Sequence, residues 1–213
     1  PIFKVVDGEQ ISEYQMIQTI MLPSANNMAD SLVDWAFGST ANYSEYANAY
    51  LKKHGINNTN VGVDASGLSP TSNSTAEDLV KIGKLAMENP VLAEVVGQKT
   101  ATGIPVVNDI KNVNYLLGTN GIIGVKTGNT DEAGGVFVSA STVKINERPT
   151  TIVTSVIGAP NLVTAMNSSV PLITSSQQNF PEVTLVAANR VVGHYDVPWG
   201  DSIPAKTADD LSF

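Results

Sequence analysis

A chain of 213 residues is long enough for one domain with a substantial core, or for one domain and a small appendage. Hydrophobic residues make up 42% and charged residues 15%, which describes a globular chain and excludes a disordered one. A formal charge of −8 with no basic run beyond Lys52-Lys53 excludes a nucleic-acid footprint, and the lack of cysteine excludes disulfides, thiolate metal sites and a cysteine nucleophile.

Helical signals dominate the first half. Ser12-Glu13-Tyr14-Gln15 reads as a capping box, followed by Met16, Ile17, Ile20 and Met21 at helical spacing. Pro23-Ser24 interrupts this helix. A second runs from about Asn27 to a stop at Gly38, and a third from near Ser44 to Gly55. Ile56 to Ser74, rich in Asn, Gly, Ser and Thr, reads as a long ordered loop. Ser74-Thr75-Ala76-Glu77 is a second capping box, opening a helix with Leu79, Val80, Ile82 and Leu85 on one face that Asn89-Pro90 ends. The second half turns to strands: Gly121 to Thr127, Gly134 to Val143 and Thr150 to Gly158 are short Val-, Ile- and Thr-rich runs with brief links, the pattern of an antiparallel meander. An amphipathic helix is predicted from Asn161 to about Ser176. The tail from Pro181 returns to β patterning, with Pro198 and Gly200 as turn marks. No apolar run approaches the roughly 20 residues of a membrane-spanning helix. The chain opens on Pro1 rather than Met, so its start reads as a processing or cleavage boundary.

Two short motifs carry chemistry. Ser24-Ala25-Asn26 sits between the first two predicted helices, and Lys126-Thr127-Gly128 ends a predicted strand. Alone, the first is an ordinary helix start and the second an ordinary strand-to-turn junction. Together they are the S-x-N and K-T-G of the penicillin-recognising serine enzymes, in the right order and on the right elements. The surrounding text agrees. Met21 to Ala29 resembles the L-L-P-S-G-N-D-A-A stretch of D-alanyl-D-alanine carboxypeptidases, and Asp64 to Pro70 with Ser74 to Leu79 resembles their D-x-x-G-L-S-P…S-T-A-x-D-L segment. Gly124 to Gly134 resembles their G-x-K-T-G-x-T-x-x-A-G.

The resemblance implies an α/β (α+β) transpeptidase-like fold, with an antiparallel sheet flanked by helices and a helical lobe. That fold would be incomplete at the N-terminus and extended by a small β-rich C-terminal stretch. Residues 1–180 would form the partial carboxypeptidase domain and 181–213 an extension or the start of an accessory domain. It also implies roles. Ser24 belongs to a proton relay, Asn26 binds the substrate backbone, and Lys126 supplies positive potential. Thr127 holds the terminal carboxylate, Gly128 lets the strand edge approach the peptide, and the N–H of Asn129 forms half of the oxyanion hole. No cofactor or metal is implied. The expected partners are a peptidoglycan pentapeptide, β-lactam antibiotics as inhibitors, and an N-terminal segment of the same protein that this chain lacks. The expected location is extracytoplasmic.

The chain departs from this pattern at the third motif. S-x-x-K, which carries the nucleophile on a helix, is spelled only by Ser141-Thr142-Val143-Lys144, on a predicted strand where residues three apart face opposite ways. This match is read as coincidence, so the chain is expected to be inactive alone. Neither of its arginines, Arg148 and Arg190, lies in the stretch Gly158 to Leu162, where some relatives place one. Two alternatives stand beside the carboxypeptidase. A class A-like β-lactamase needs a deacylating glutamate on the loop after S-x-N, and Asn57 to Ser74 holds none. A non-catalytic peptidoglycan-binding or scaffold protein on the same fold has no need of the intact motifs.

Overall fold

The computed structural model describes residues 1–105, 107–181 and 183–212. The capping box at Ser12 forms as read: its hydroxyl accepts the Gln15 N–H while the Gln15 side chain accepts the Ser12 N–H, opening α1 (Glu13–Met21). A short turn then leads to α2 (Asn26–Phe37), which ends on Gly38 in the left-handed conformation that glycine adopts freely. Helix α3 (Thr40–Lys53) starts a turn earlier than the sequence suggests, because Ser39 caps it through the Asn42 N–H. Ser44 instead donates its hydroxyl to the Val61 carbonyl, tying α3 to the loop that follows. Helices α1 to α3 make up the helical lobe.

The loop is closed by a bridge between Asn60 and Asn73. Helix α4 (Ala76–Glu88) is capped by Thr75 rather than Ser74; the Ser74 hydroxyl bonds that of Thr59 at 2.7 Å. Asn89-Pro90 stops α4 as expected but also starts a further helix. The Asn89 side chain accepts the N–H groups of Val91 and Leu92, and Pro90 fills the first position of α5 (Pro90–Val96). This helix and the hairpin of β1 (Thr100–Ile104) and β2 (Asn108–Lys111) are absent from the sequence reading.

The meander is present as β3 (Ile122–Thr130), β4 (Gly134–Ile145) and β5 (Arg148–Ala159), antiparallel in the order β3-β4-β5. Helix α6 (Leu162–Gln178), capped by Asn161, covers one face: wholly buried Phe137 packs there on Ala165 and Met166. The next residue, Val138, points to the opposite face and packs with Val96 of α5. There α4 approaches so closely that a Cβ on Gly83 would lie 2.7 Å from a Val138 methyl and 2.9 Å from one of Val153. The result is a helix–sheet–helix sandwich with the lobe beside it, the architecture expected. Strand β3 lies at the sheet's edge, and among the described residues one of its sides has no strand partner.

Beyond α6, β6 (Thr184–Val186) pairs with β9 (Leu211–Ser212) and β7 (Val191–Tyr195) with β8 (Ile203–Lys206). Among the described residues neither pair hydrogen-bonds into the main sheet. No helix of the described residues is long and apolar enough to cross a membrane.

Candidate active site

Ser24 sits in the α1–α2 turn with φ at 63°, left-handed backbone that a serine holds only when its surroundings fix it. Three hydrogen bonds do so. The Ala25 N–H donates to the Thr19 carbonyl at 3.1 Å, and the Asn26 N–H to the Pro1 carbonyl at 2.8 Å. The Val113 N–H donates to the carbonyl of fully buried Leu22 at 3.0 Å, so the segment before β3 holds the turn from the side. Asn112 anchors that segment in turn: its side-chain amide donates to the carbonyls of Val96 and Gln98 at the end of α5.

Lys126, half-buried in the middle of β3, reaches this turn. Its Nζ donates to Ser24 Oγ at 2.7 Å and to the Thr127 carbonyl at 2.8 Å, joining two motifs 102 residues apart in the chain. Burial pulls its pKa down from 10.5 to about 8, and among the described residues no carboxylate pairs with it to restore the charge. With its pKa near 8, the amine is charged at pH 7 but holds its proton less firmly than an exposed lysine.

The other residues singled out by sequence surround this contact without closing on it. Asn26 opens α2 half-buried, and its side-chain amide makes no hydrogen bond among the described residues. Thr127 pairs in register with Phe137 on the side covered by α6, so Lys126 and Thr127 address opposite faces and only Lys126 meets Ser24. Gly128 pairs with Val136. A Cβ there would meet Val136 at 3.6 Å, an ordinary contact, so nothing in the chain itself demands glycine at this position. Asn129 is exposed, paired with Gly135. Ser141 is fully buried and Lys144 exposed, its amine paired with Glu147, so this S-x-x-K cannot act as one unit.

Two carboxylates missed as functional by sequence reading shape the loop between α3 and α4. Asp78, with no exposed surface, accepts the Asn58 N–H at 2.6 Å and the Thr59 hydroxyl at 3.1 Å, pinning the loop's start to α4. Asp64 accepts the Ser66 hydroxyl and the N–H groups of Leu68 and Ser69; burial raises its pKa, but these donors together bring it below 3.8. The D-x-x-G-L-S-P and D-L motifs were the available signal, without a role attached. Between this loop and the β3–β4 turn lies a cavity of about 630 Å³.

The sequence profile of the D-alanyl-D-alanine carboxypeptidases, peptidase family S11, matches residues 2–161. The chain belongs to this family. It is 28% identical over 225 residues to the D-alanyl-D-alanine carboxypeptidase DacA of Escherichia coli K12, covering 99% of this chain and 53% of that one. With DacA of Haemophilus influenzae it shares 27% identity, covering 92% of this chain and 50% of the relative. The chain therefore spans about half the length of the curated relatives it matches. Among solved structures it resembles the Streptomyces K15 DD-transpeptidase at a TM-score of 0.71 and 28% identity, over 83% of this chain and 71% of the other. A peptidoglycan synthesis regulatory factor of Streptococcus pneumoniae, at 21% identity and a TM-score of 0.72 over 93% of this chain and 62% of that one, shares the fold.

Proposed function

We propose that this chain is the substrate-binding part of a serine-type D-alanyl-D-alanine carboxypeptidase that cleaves peptidoglycan pentapeptides through an acyl-enzyme and is inhibited by β-lactams. The contact of Lys126 with Ser24 carries the reading: it joins K-T-G to S-x-N beside the free edge of β3. An extended peptide would add to that edge as a further strand, with its D-Ala-D-Ala carbonyl near Ser24. Lys126 would keep positive potential at the substrate carboxylate and pass protons through Ser24. The Asn26 amide, with no hydrogen bond among the described residues, would receive the peptide backbone. The Asn129 N–H would serve the oxyanion, while the Thr127 side chain, on the face covered by α6, would meet the carboxylate only if the substrate reached around the β3 edge.

The reaction also needs a nucleophilic serine and a lysine base on one helical turn, and no helix of these 213 residues carries that pair. A segment with S-x-x-K is proposed to complete the site. Residues 181–213 are proposed as the beginning of a β-rich accessory part, supported by the pairing of β6 to β9 among themselves. The proposed setting is extracytoplasmic, secreted or anchored at the outer face of the cytoplasmic membrane, in cell-wall synthesis and cell shape. The loop argues against a β-lactamase: it holds no glutamate, and its Asp64 is engaged by its own loop.

Labelled penicillin tests the reading. The chain alone should gain no covalent mass, and with the S-x-x-K segment supplied it should be acylated. Lys126→Ala in the completed protein should then slow acylation by ~10²–10³. A label on Ser24 would give that residue a different role, and failure of the completed protein to acylate would leave the scaffold reading.

A further inference from the structure

The left-handed turn at Ser24 needs support that a serine does not give itself, and the source of that support lies outside the two motifs. It is the end of α5. Fully buried Val96 faces β3 there, so close that a Cβ on Gly124, two residues before Lys126, would lie 2.7 Å from its Cγ2 methyl. Val96 also packs with Val125 and Val138. The end of α5 is therefore fixed against the strand that carries Lys126.

That same end holds the Ser24 turn from two sides. On one side the Gln98 side chain joins α1, which runs directly into the turn: it accepts the Gln18 amide N–H at 2.7 Å and donates to the Tyr14 hydroxyl at 2.7 Å. On the other side stands Asn112. Its side-chain amide donates to the carbonyls of Val96 at 3.2 Å and Gln98 at 3.0 Å. Its side-chain oxygen accepts the Asn114 N–H at 2.9 Å, and its backbone N–H donates to the Lys99 carbonyl at 2.9 Å. The N–H of the next residue, Val113, then donates to the carbonyl of Leu22 at 3.0 Å, two residues before Ser24. Two donated bonds and one accepted bond from a single neutral side chain call for an amide, and a carboxylate would set its oxygens against the two carbonyls.

The path from Gly124 through Val96, Asn112, Val113 and Leu22 thus sets where the Ser24 hydroxyl stands relative to β3, and the Lys126 amine meets that hydroxyl at 2.7 Å. We propose that Asn112 is a positioning residue for the Ser24–Lys126 pair, holding the Ser24 turn in register with β3 through the end of α5. Its meaning for catalysis rests on the reading of that pair as part of a carboxypeptidase site; the coupling itself does not.

The ¹³C-labelled 213-residue chain tests the coupling through the Lys126 Cε resonance. Asn112→Ala should shift it. In a Ser24→Ala background the same substitution should leave it where Ser24→Ala alone puts it. A substitution that merely loosened the fold would act alike in both backgrounds. Should Asn112→Ala fail to fold, Asn112→Gln keeps the amide but displaces it by one methylene, and should shift the resonance in the same Ser24-dependent way. Asp78→Ala, which loosens a different loop, should leave it unmoved. In the protein completed with an S-x-x-K segment, Asn112→Ala should slow acylation by penicillin about ten- to a hundredfold and change the dissociation constant by less than about twofold. A Lys126 resonance that ignores both Asn112 variants, shifts as much without Ser24, or moves equally with Asp78→Ala would overturn the proposal. So would an undiminished acylation rate. If the coupling is present but the unaltered completed protein is not acylated, the positioning stands and the carboxypeptidase reading falls. If that protein is acylated and the coupling is absent, the positioning falls alone.

Discussion

Lys126 is held where burial opposes its charge, and the two atoms that receive its protons are neutral oxygens. With a folded pKa near 8 against 10.5, the unfolded chain binds the extra proton between those two values. The cost of this group to stability therefore persists below pH 8 and fades as pH rises from there towards 10.5. Lys126→Met should raise stability to urea by ~1–2 kcal/mol at pH 7, after the loss of two hydrogen bonds, and the gain should shrink by pH 10. A fall in stability at pH 7 would show that those hydrogen bonds outweigh the burial. The Asp78 carboxylate ties the loop to α4 by accepting a backbone N–H and a hydroxyl. Asp78→Ala should cost about 1–3 kcal/mol and speed proteolytic nicking between Asn57 and Ser74, because the Asn58 N–H and the Thr59 hydroxyl lose an acceptor. Unchanged proteolysis would mean the loop is held by its own bridge at Asn60 and Asn73.

Elements whose signal is complete within a few residues were legible from sequence. The reciprocal cap at Ser12 and Gln15 needs four consecutive residues, and the β-branched runs of β3, β4 and β5 are separated only by the short links Asp131 to Ala133 and Asn146-Glu147. Tertiary contacts move two of the expected helix starts: Ser74 is drawn to Thr59 and Ser44 to Val61, and Thr75 and Ser39 cap instead. Helix α5 was hidden because Asn89-Pro90 stops one helix and starts the next, and its seven residues are Val-rich. Gly83 is a case where propensity points the wrong way. Alanine there would favour helix α4 by ~1 kcal/mol, yet its methyl would enter the space of Val138 and Val153 at 2.7 and 2.9 Å. Gly83→Ala should therefore destabilise by about 1–3 kcal/mol, and adding Val153→Ala should restore part of the loss. If Gly83→Ala is stabilising, α4 can retreat from the sheet without cost.

For the whole molecule, the candidate site was legible only through family resemblance, because the meeting of Ser24 with Lys126 joins residues 102 apart and no local period encodes it. The cavity was not legible at all, since its wall exists only once Asp64 and Asp78 have folded the loop. The tail poses a different physical problem. Leu185, Val192, Tyr195 and Leu211 are largely exposed, and Trp199 is 83% exposed. The hydrogen bonds of Thr184, Ala188, Arg190 and Thr207 all end within the tail itself. Little apolar surface is thus buried by the tail against the sandwich, and at ~25 cal/mol per Å² what is not buried cannot stabilise. A chain ended after Asn179, where α6 is already capped, should melt within about 2 °C of the 213-residue chain. It should also bind less of a hydrophobic dye, because the exposed side chains leave with the tail. A drop of more than about 5 °C would show that β6 to β9 brace the sandwich, and the boundary near residue 180 would then divide one folding unit rather than two.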